Sequence, residues 1–292
     1  MTPASLSRLK QAGLDPMSVE TLARAALRED EAAYDVTSRA TVPAEAVGTG
    51  DLRARRAGTV AGVAVAIAVL DVATSGTAEV LHAVADGDRL AAGDVALTVK
   101  AGLRELLGAE RTMLNLLCHL SGVATLTAEW VSAVEGTGAH IRDTRKTTPG
   151  MRALEKWAVR CGGGVNHRMS LSDAALVKDN HVVAAGGVEE AFALVRKHFP
   201  DVPVEVECDT VEQVRRVVAA GADLVLLDNM SLDQLRESVA VCRGAGVRTE
   251  ASGGLTLDTA HAVASTGVDF LAIGALTHSA PVLDLGLDLR EG

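Results

Sequence analysis

Leu224-Val225-Leu226-Leu227-Asp228-Asn229 is an apolar run that stops on an acid and an amide. It is too short for a helix, and helical spacing resumes only at Leu232–Cys242. A short apolar run, a polar stop and a helix make a strand-then-helix unit. The unit recurs on both sides. Upstream, Ile141 leads into Arg142-Asp143-Thr144-Arg145-Lys146, Ala174–Val177 into Lys178-Asp179-Asn180-His181, and Val202–Val206 into Glu207-Cys208-Asp209. Downstream, Val247–Thr249 leads into Glu250-Ala251-Ser252-Gly253-Gly254, and Phe270–Ile273 into Gly274. Helical stretches at Val188–His198, Val211–Ala219 and Leu257–Ser265 separate them. Strands alternating with helices pair in parallel, and continuous apolar strands are covered on both faces. A doubly wound sheet gathers its ligand at one switch point, whereas a barrel brings every strand's C-terminal end to one mouth. Six polar strand ends in succession favour an α/β barrel, incomplete at six or seven strands.

The first part of the chain has another rhythm. Val19–Leu27 has helical spacing, followed by a turn-like stretch from Glu29-Asp30 to Asp35-Val36-Thr37. Short apolar runs, such as Ala46–Ala54 and Val60–Val63, are then split by Gly and Asp, with Asp86-Gly87-Asp88 and Ala92-Gly93-Asp94 as tight turns. This part is similar to a swivelling carrier-type β fold but lacks the modifiable Lys of a biotin or lipoyl carrier, so it reads as structural. A long helix runs from about Leu103 through Trp130, with a break expected at Ser121-Gly122. The expected domains are 1–116 and a barrel over 117–276, with the tail 277–292 packing back on the first.

Of 292 residues, 48% are hydrophobic, 23% charged and 2% aromatic, which excludes a disordered or low-complexity chain. The net charge of -10 and the scarcity of aromatics argue against nucleic acid as a partner. The most apolar run, Val60–Leu70, is shorter than the ~20 residues of a membrane span, so no membrane association is expected. No basic stretch followed by an apolar run opens the chain, which predicts no signal peptide. Cys118, Cys161, Cys208 and Cys242 form no CxxC pair and read as reduced thiols of a cytoplasmic protein.

Charge is concentrated where the strand ends converge. Arg142–Lys178 holds eight Lys or Arg and three acids, a local balance of +5 on a chain whose remainder is -15. Such a patch suits a small polyanion, with Arg making forked contacts to carboxylate or phosphate and Lys acting as a point charge. Arg145, Lys146 and Lys178 sit at strand ends. Arg152, Lys156 and Arg160 fall at helical spacing and read as solvated charges. Ser252-Gly253-Gly254 and Gly274 follow the last two strands, where barrels often bind phosphate. Glu207 and Asp228 end adjacent strands, as ligands to Mg²⁺ or to sugar hydroxyls or as ion-pair partners of Lys178. Gly162-Gly163-Gly164 before Asn166-His167-Arg168 makes a mobile or tightly curved loop. The P-loop, HExxH, GxSxG and complete GxGxxG motifs are absent.

Taken together, these stretches resemble one family. Asp143-Thr144-Arg145-Lys146-Thr147-Thr148-Pro149-Gly150, Gly162-Gly163-Gly164-Val165-Asn166-His167-Arg168 and Lys178-Asp179-Asn180-His181 are similar to motifs of the quinolinate phosphoribosyltransferases. Glu110-Arg111-Thr112-Met113-Leu114-Asn115, Leu226-Leu227-Asp228-Asn229 and Glu250-Ala251-Ser252-Gly253-Gly254 continue the likeness, which runs from about Ala25 to Leu289. It implies an N-terminal α/β sandwich followed by an open, roughly seven-stranded α/β barrel. It implies a homodimer, with Arg111 reaching the partner's site. The implied reaction joins quinolinate and phosphoribosyl pyrophosphate, with Mg²⁺, into nicotinate mononucleotide, pyrophosphate and CO₂ for de novo NAD synthesis.

By the same resemblance, Arg111, Arg145, His167 and Arg168 meet the quinolinate carboxylates. Lys146 and Lys178 span quinolinate and the leaving pyrophosphate, and Glu207 and Asp228 hold the ribose hydroxyls, directly or through Mg²⁺. Ser252, Gly253, Gly254 and Gly274 cradle the 5′-phosphate, with His278 just beyond. Two alternatives stand beside this reading. A related barrel phosphoribosyltransferase with another pyridine or base substrate would lose part of the arginine clamp. A non-catalytic phosphosugar-binding protein would need no lysine pair.

Overall fold

A computed structural model describes residues 1–290. They divide into two units, one of Met1–Ala128, Pro149–Gly163 and the described residues from 279 to 290, the other of Glu129–Thr148 and Gly164–His278.

The first unit begins with helices α1 (Pro3–Gln11) and α2 (Pro16–Glu29). Thr2 and Asp15 cap their first turns by accepting N–H bonds from Ser5 and Ser18. The turn-like stretch that follows holds a 3₁₀ turn and a short helix, α3 (Val36–Thr41). Next come β1 (Val47–Ala54), β2 (Gly58–Thr59), α4 (Val63–Ala73), β3 (Glu79–Ala83), β4 (Arg89–Leu90) and β5 (Val95–Gly102). The apolar run at Val60–Leu70 mostly becomes α4, a helix buried on every side as far as Asp71. Such all-round burial is what a helix with no polar face requires. Both predicted turns form. Gly87 and Gly93 take positive φ, and Asp88 and Asp94 accept the N–H groups of Ala85 and Ala91 at 2.9 and 2.7 Å. A four-stranded antiparallel sheet has the order β12-β1-β5-β3, where β12 is Leu285–Leu289 and Leu287 stands opposite Leu52.

α5 (Leu103–Ala133) is continuous across the expected break. Ser121 spends its hydroxyl on Ala61, donating to the carbonyl and accepting from the N–H, and leaves the helix ladder intact. Gly122 is there for space: a Cβ would stand 2.1 Å from the carbonyl oxygen of Pro281. α6 (Arg152–Cys161) belongs to this unit although it lies between barrel strands in sequence. It overturns one expectation. Lys156 is among the largest fully buried side chains, and Arg152 is half-buried; only Arg160 is exposed, stacked 4.9 Å over the Trp157 ring.

The second unit is a parallel sheet in the order β6-β11-β10-β9-β8-β7. Its strands are β6 (His140–Arg142), β7 (Ala175–Val177), β8 (Val204–Cys208), β9 (Leu224–Asp228), β10 (Arg248–Ser252) and β11 (Phe270–Ala272). Val165 adds an isolated parallel bridge to Arg142. Among the described residues the sheet therefore has six strands rather than seven, and it stays open between its two edges, β6 and β7. The helices α7 (Asp179–Ala185), α8 (Val188–His198), α9 (Val211–Ala219), α10 (Leu232–Gly244), α11 (Leu257–Ala264) and α12 (Ala275–His278) follow the strands. Val225, Leu227, Val206 and Leu271 are fully buried, as strands covered on both faces must be. Among the described residues no helix is long and apolar enough to cross a membrane.

Candidate active site

The C-terminal ends of β6 to β11 carry the polar groups. After β6 the chain turns through Thr144-Arg145-Lys146. The Lys146 backbone is held from two sides: its N–H donates to Thr144 Oγ1 at 3.0 Å, and its carbonyl accepts from Thr277 Oγ1 at 2.8 Å. The Lys146 side chain then crosses Gly274. A Cβ on that glycine would lie 2.9 Å from Lys146 Cδ and 3.3 Å from His278 Nε2. The last strand end therefore needs glycine to admit the side chains of Lys146 and His278.

After β7, Lys178 is exposed and its Nζ lies 2.5 Å from Glu207 Oε2 at the end of β8. Its N–H donates to His181 Nδ1, so the ring of His181 caps α7 and fixes the lysine's backbone. β9 ends on Asp228, which accepts a 2.6 Å bond from the Asn229 amide. Asn229 takes a left-handed φ of 52°, and its side chain lies against Gly253. Gly253 and Gly254 have φ of +89° and +62°, which favours glycine at both. This places Ser252-Gly253-Gly254 as a bare-backbone turn beside Asp228, and Asp228 pairs in register with Ser252.

Beneath this mouth lies a buried polar cluster that the sequence reading missed. Asp143 is fully buried; it accepts the His167 N–H at 2.8 Å and the Asn166 amide at 2.5 Å. His167 Nε2 is 2.7 Å from Glu205 Oε2 and 3.6 Å from Glu250 Oε1. Glu250 pairs with Arg142 at 2.6 Å, and the Arg142 guanidinium stacks 4.5 Å over Phe270. Burial pushes the carboxyls of Glu205 and Glu250 up to about 7; the Glu205 charge adds to the rise at Glu250, and Arg142 opposes it at both. The available signal was a charged residue inside an apolar run: Val204-Glu205-Val206 puts an acid where a covered parallel strand should be apolar.

His167 accepts the N–H of Arg168 on Nδ1 at 2.7 Å. Both ring nitrogens are thus engaged by protein groups. The Nε2 side of the ring faces the cluster, and its Nδ1 side supports the peptide of Arg168. Arg168 donates to the carbonyl of Ala174 at 2.7 Å. Burial first, and the neighbouring Arg145 charge second, hold its pKa below the usual arginine value.

Arg111 is exposed on α5 in the first unit. His167, Glu205 and Glu250 present ligand atoms within 4.8 Å of one another, as a metal centre would. Their ion pair to Arg142 and their nitrogen donor do not suit Mg²⁺, which prefers oxygen ligands and water. Burial raises the thiols of Cys161 and Cys208 to about 12 and that of Cys242 to about 11, and it also raises Cys118, so none is poised as a nucleophile.

The Quinolinate phosphoribosyl transferase N-terminal domain profile matches residues 35–121, and the C-terminal domain profile matches 123–288. The chain belongs to the quinolinate phosphoribosyltransferase family. It is 54% identical over 270 residues to a nicotinate-nucleotide pyrophosphorylase [carboxylating] of Mycobacterium leprae, covering 91% of this chain and 95% of that one. NadC from Streptococcus pyogenes has a solved structure that superposes with a TM-score of 0.89 at 39% identity, over 95% of this chain and 99% of that one. The nicotinate-nucleotide pyrophosphorylase of Francisella tularensis gives 0.90 at 34%, over 95% and 98%. As a member of the quinolinate phosphoribosyltransferase family, the protein is a pentosyltransferase enzyme of NAD biosynthesis.

Proposed function

We propose that the protein transfers phosphoribosyl from phosphoribosyl pyrophosphate to quinolinate with loss of CO₂, and that the strand-end mouth is where it does so. The observation that carries the reading is the cationic strand-end mouth, where Lys146 crosses Gly274 and Lys178 meets Glu207 beside the glycine turn at Gly253-Gly254; Arg145 and Arg168 are assigned to the two carboxylates of quinolinate. Lys146, reaching over Gly274, and Lys178 supply point charges for the pyrophosphate. Ser252, Gly253, Gly254 and Gly274 take the 5′-phosphate on bare backbone. Glu207 and Asp228 lie at the ends of neighbouring strands, suited to ribose hydroxyls.

The pyridine nitrogen attacks the anomeric carbon as the C–O bond to pyrophosphate breaks. The positive charge of the oxocarbenium-like transition state lies near Glu207 and Asp228, and the lysines hold the departing phosphates. The pyridinium so formed withdraws electrons. The bond to the adjacent carboxylate breaks, CO₂ leaves, and the ring carbon takes a proton. A cation such as Lys146 steadies the charge on that carbon meanwhile.

Hard oxygens from Glu207 and Asp228 fit Mg²⁺ held partly through water and substrate oxygens; when bound, the ion would neutralise pyrophosphate charge. The reading extends to a homodimer in which Arg111 completes the partner's carboxylate clamp, supported by its exposure and by the absence of a hydrogen bond or ion pair to it among the described residues. It extends to the cytoplasm, supported by four cysteines without a disulfide.

The test is a turnover assay with quinolinate, phosphoribosyl pyrophosphate and Mg²⁺, following nicotinate mononucleotide and CO₂ together, with nicotinate as parallel substrate. Equal release of both products from quinolinate, and none from nicotinate, is the expected result. Turnover of nicotinate alone would overturn the roles of Arg145 and Arg168. For the dimer, mixing Arg111→Ala with Lys146→Ala subunits should recover about one quarter of wild-type activity, because half the dimers then hold one intact site. No recovery would remove Arg111 from the partner's site.

A further inference from the structure

We infer that Glu205 and Glu250 are positioning residues for the dicarboxylate site: they hold His167 in its Nε2–H tautomer, and His167 in turn sets the peptide that presents Arg168. This rests on the function proposed above.

The tautomer follows from the hydrogen bonds. A backbone N–H can only donate, so the Arg168 N–H at 2.7 Å requires His167 Nδ1 to carry no proton. The neutral ring then bears its proton on Nε2, which faces Glu205 Oε2 at 2.7 Å with Glu250 Oε1 behind it at 3.6 Å. Carboxylates on the Nε2 side and an amide on the Nδ1 side leave the ring one orientation. A 180° ring flip would set a carbon against the Arg168 N–H and lose both bonds. The His167 N–H is tied to Asp143 as well, so the peptides on both sides of this residue are held from below. What they hold is Arg168, whose guanidinium is steered by the Ala174 carbonyl and lies in the field of Arg145.

Stability alone does not account for these acids. Glu205 and Glu250 are 4% and 0% exposed; Glu205 lies between Val204 and Val206 and opposite Leu176 and Leu224, and Glu250 lies opposite Leu226 and Phe270. Apolar residues would pack there at no electrostatic cost, and buried ion pairs are weak stabilisers. One oxygen of each, Glu205 Oε1 and Glu250 Oε1, has no hydrogen-bond partner among the described residues. A costly, partly unsatisfied pair marks a place where local stability is traded for orientation. Arg142 offsets one of the two charges through its contact with Glu250, leaving Glu205 for the ring.

The experiment has two arms. In the first, ¹⁵N-histidine spectra of the wild-type protein, with the His167 signal assigned by its loss in His167→Asn, should show a protonated Nε2 and a bare Nδ1. An Nδ1–H ring or an imidazolium at neutral pH overturns the inference, whether or not the enzyme turns over quinolinate. The second arm is steady-state kinetics. Glu205→Leu should raise KM for quinolinate about tenfold, with kcat and KM for phosphoribosyl pyrophosphate within about twofold, as expected when ground-state and transition-state binding are lost together. Glu205→Gln keeps an oxygen to accept from Nε2 and should restore KM to within about twofold. A glutamine variant as impaired as leucine, or equal losses for both substrates, overturns the inference. Glu205→Ala replaces leucine if that variant fails to fold. A wild-type protein that ignores quinolinate sinks the function proposed above, and the spectra still judge the tautomer.

Discussion

Two ion pairs of the second unit have almost the same length and opposite circumstances. Lys178 and Glu207 meet at 2.5 Å at the mouth, with the lysine side chain 46% exposed. Arg142 and Glu250 meet at 2.6 Å beneath it, with the glutamate fully buried. Water and salt screen the first, so it contributes little to stability and costs little to break when a polyanion arrives. In the second the glutamate is 0% exposed and the arginine side chain 17%, so water replaces a lost partner poorly. Distance alone would equate them; burial separates a contact that can be exchanged for substrate from one that holds a framework.

The sharpest way to break the comparison is Glu250→Ala. It strands the Arg142 guanidinium, which cannot shed its proton, and should cost about 3–5 kcal/mol in denaturant unfolding. A loss under about 1 kcal/mol would mean that water reaches the cluster. Next in size is Lys146→Ala, which removes a mouth cation without emptying the core. Turnover should fall about 100-fold or more, with the melting temperature unchanged to within a few degrees. Retained turnover would take Lys146 out of the mechanism.

Protonation gives a smaller, signed effect. The Glu250 carboxyl is raised from 4.5 to about 7 in the folded protein, so between those values the folded state binds more protons than the unfolded one. Stability from this group is full below pH 4.5 and falls as pH rises to about 7. Wild type should therefore lose more melting temperature than Glu250→Gln between pH 5 and pH 8, and equal losses would contradict the raised value. The smallest change expected is the stability of Glu207→Gln, within about 1 kcal/mol of wild type, although its turnover should drop. A larger loss in unfolding experiments would make the exposed pair structural after all.

Much of the barrel is legible in its sequence because a parallel strand covered on both faces must be apolar until it emerges. β8, β9 and β10 end within one to three residues of where Val202–Val206, Leu224–Leu227 and Val247–Thr249 stop. Lys178, Glu207 and Asp228 are readable for the same reason: they are the first polar residues after the runs. α5 was misjudged at Ser121-Gly122 because both residues weaken an isolated helix, and the packing that uses them lies more than 50 residues away at Ala61 and 150 away at Pro281. Lys156 looked solvated because spacing assigns a face but not what covers it.

The sequence by itself determined the order of strands and helices, the end of the barrel that carries charge and the family to which the chain belongs, since these follow from period, local chemistry and unbroken motifs. Only the tertiary structure decided that His167 turns inward, that Glu205 and Glu250 meet around it and that Lys156 is buried. Those facts depend on contacts between residues tens of positions apart, and local patterns carry no information about which distant group will exclude water from a charge.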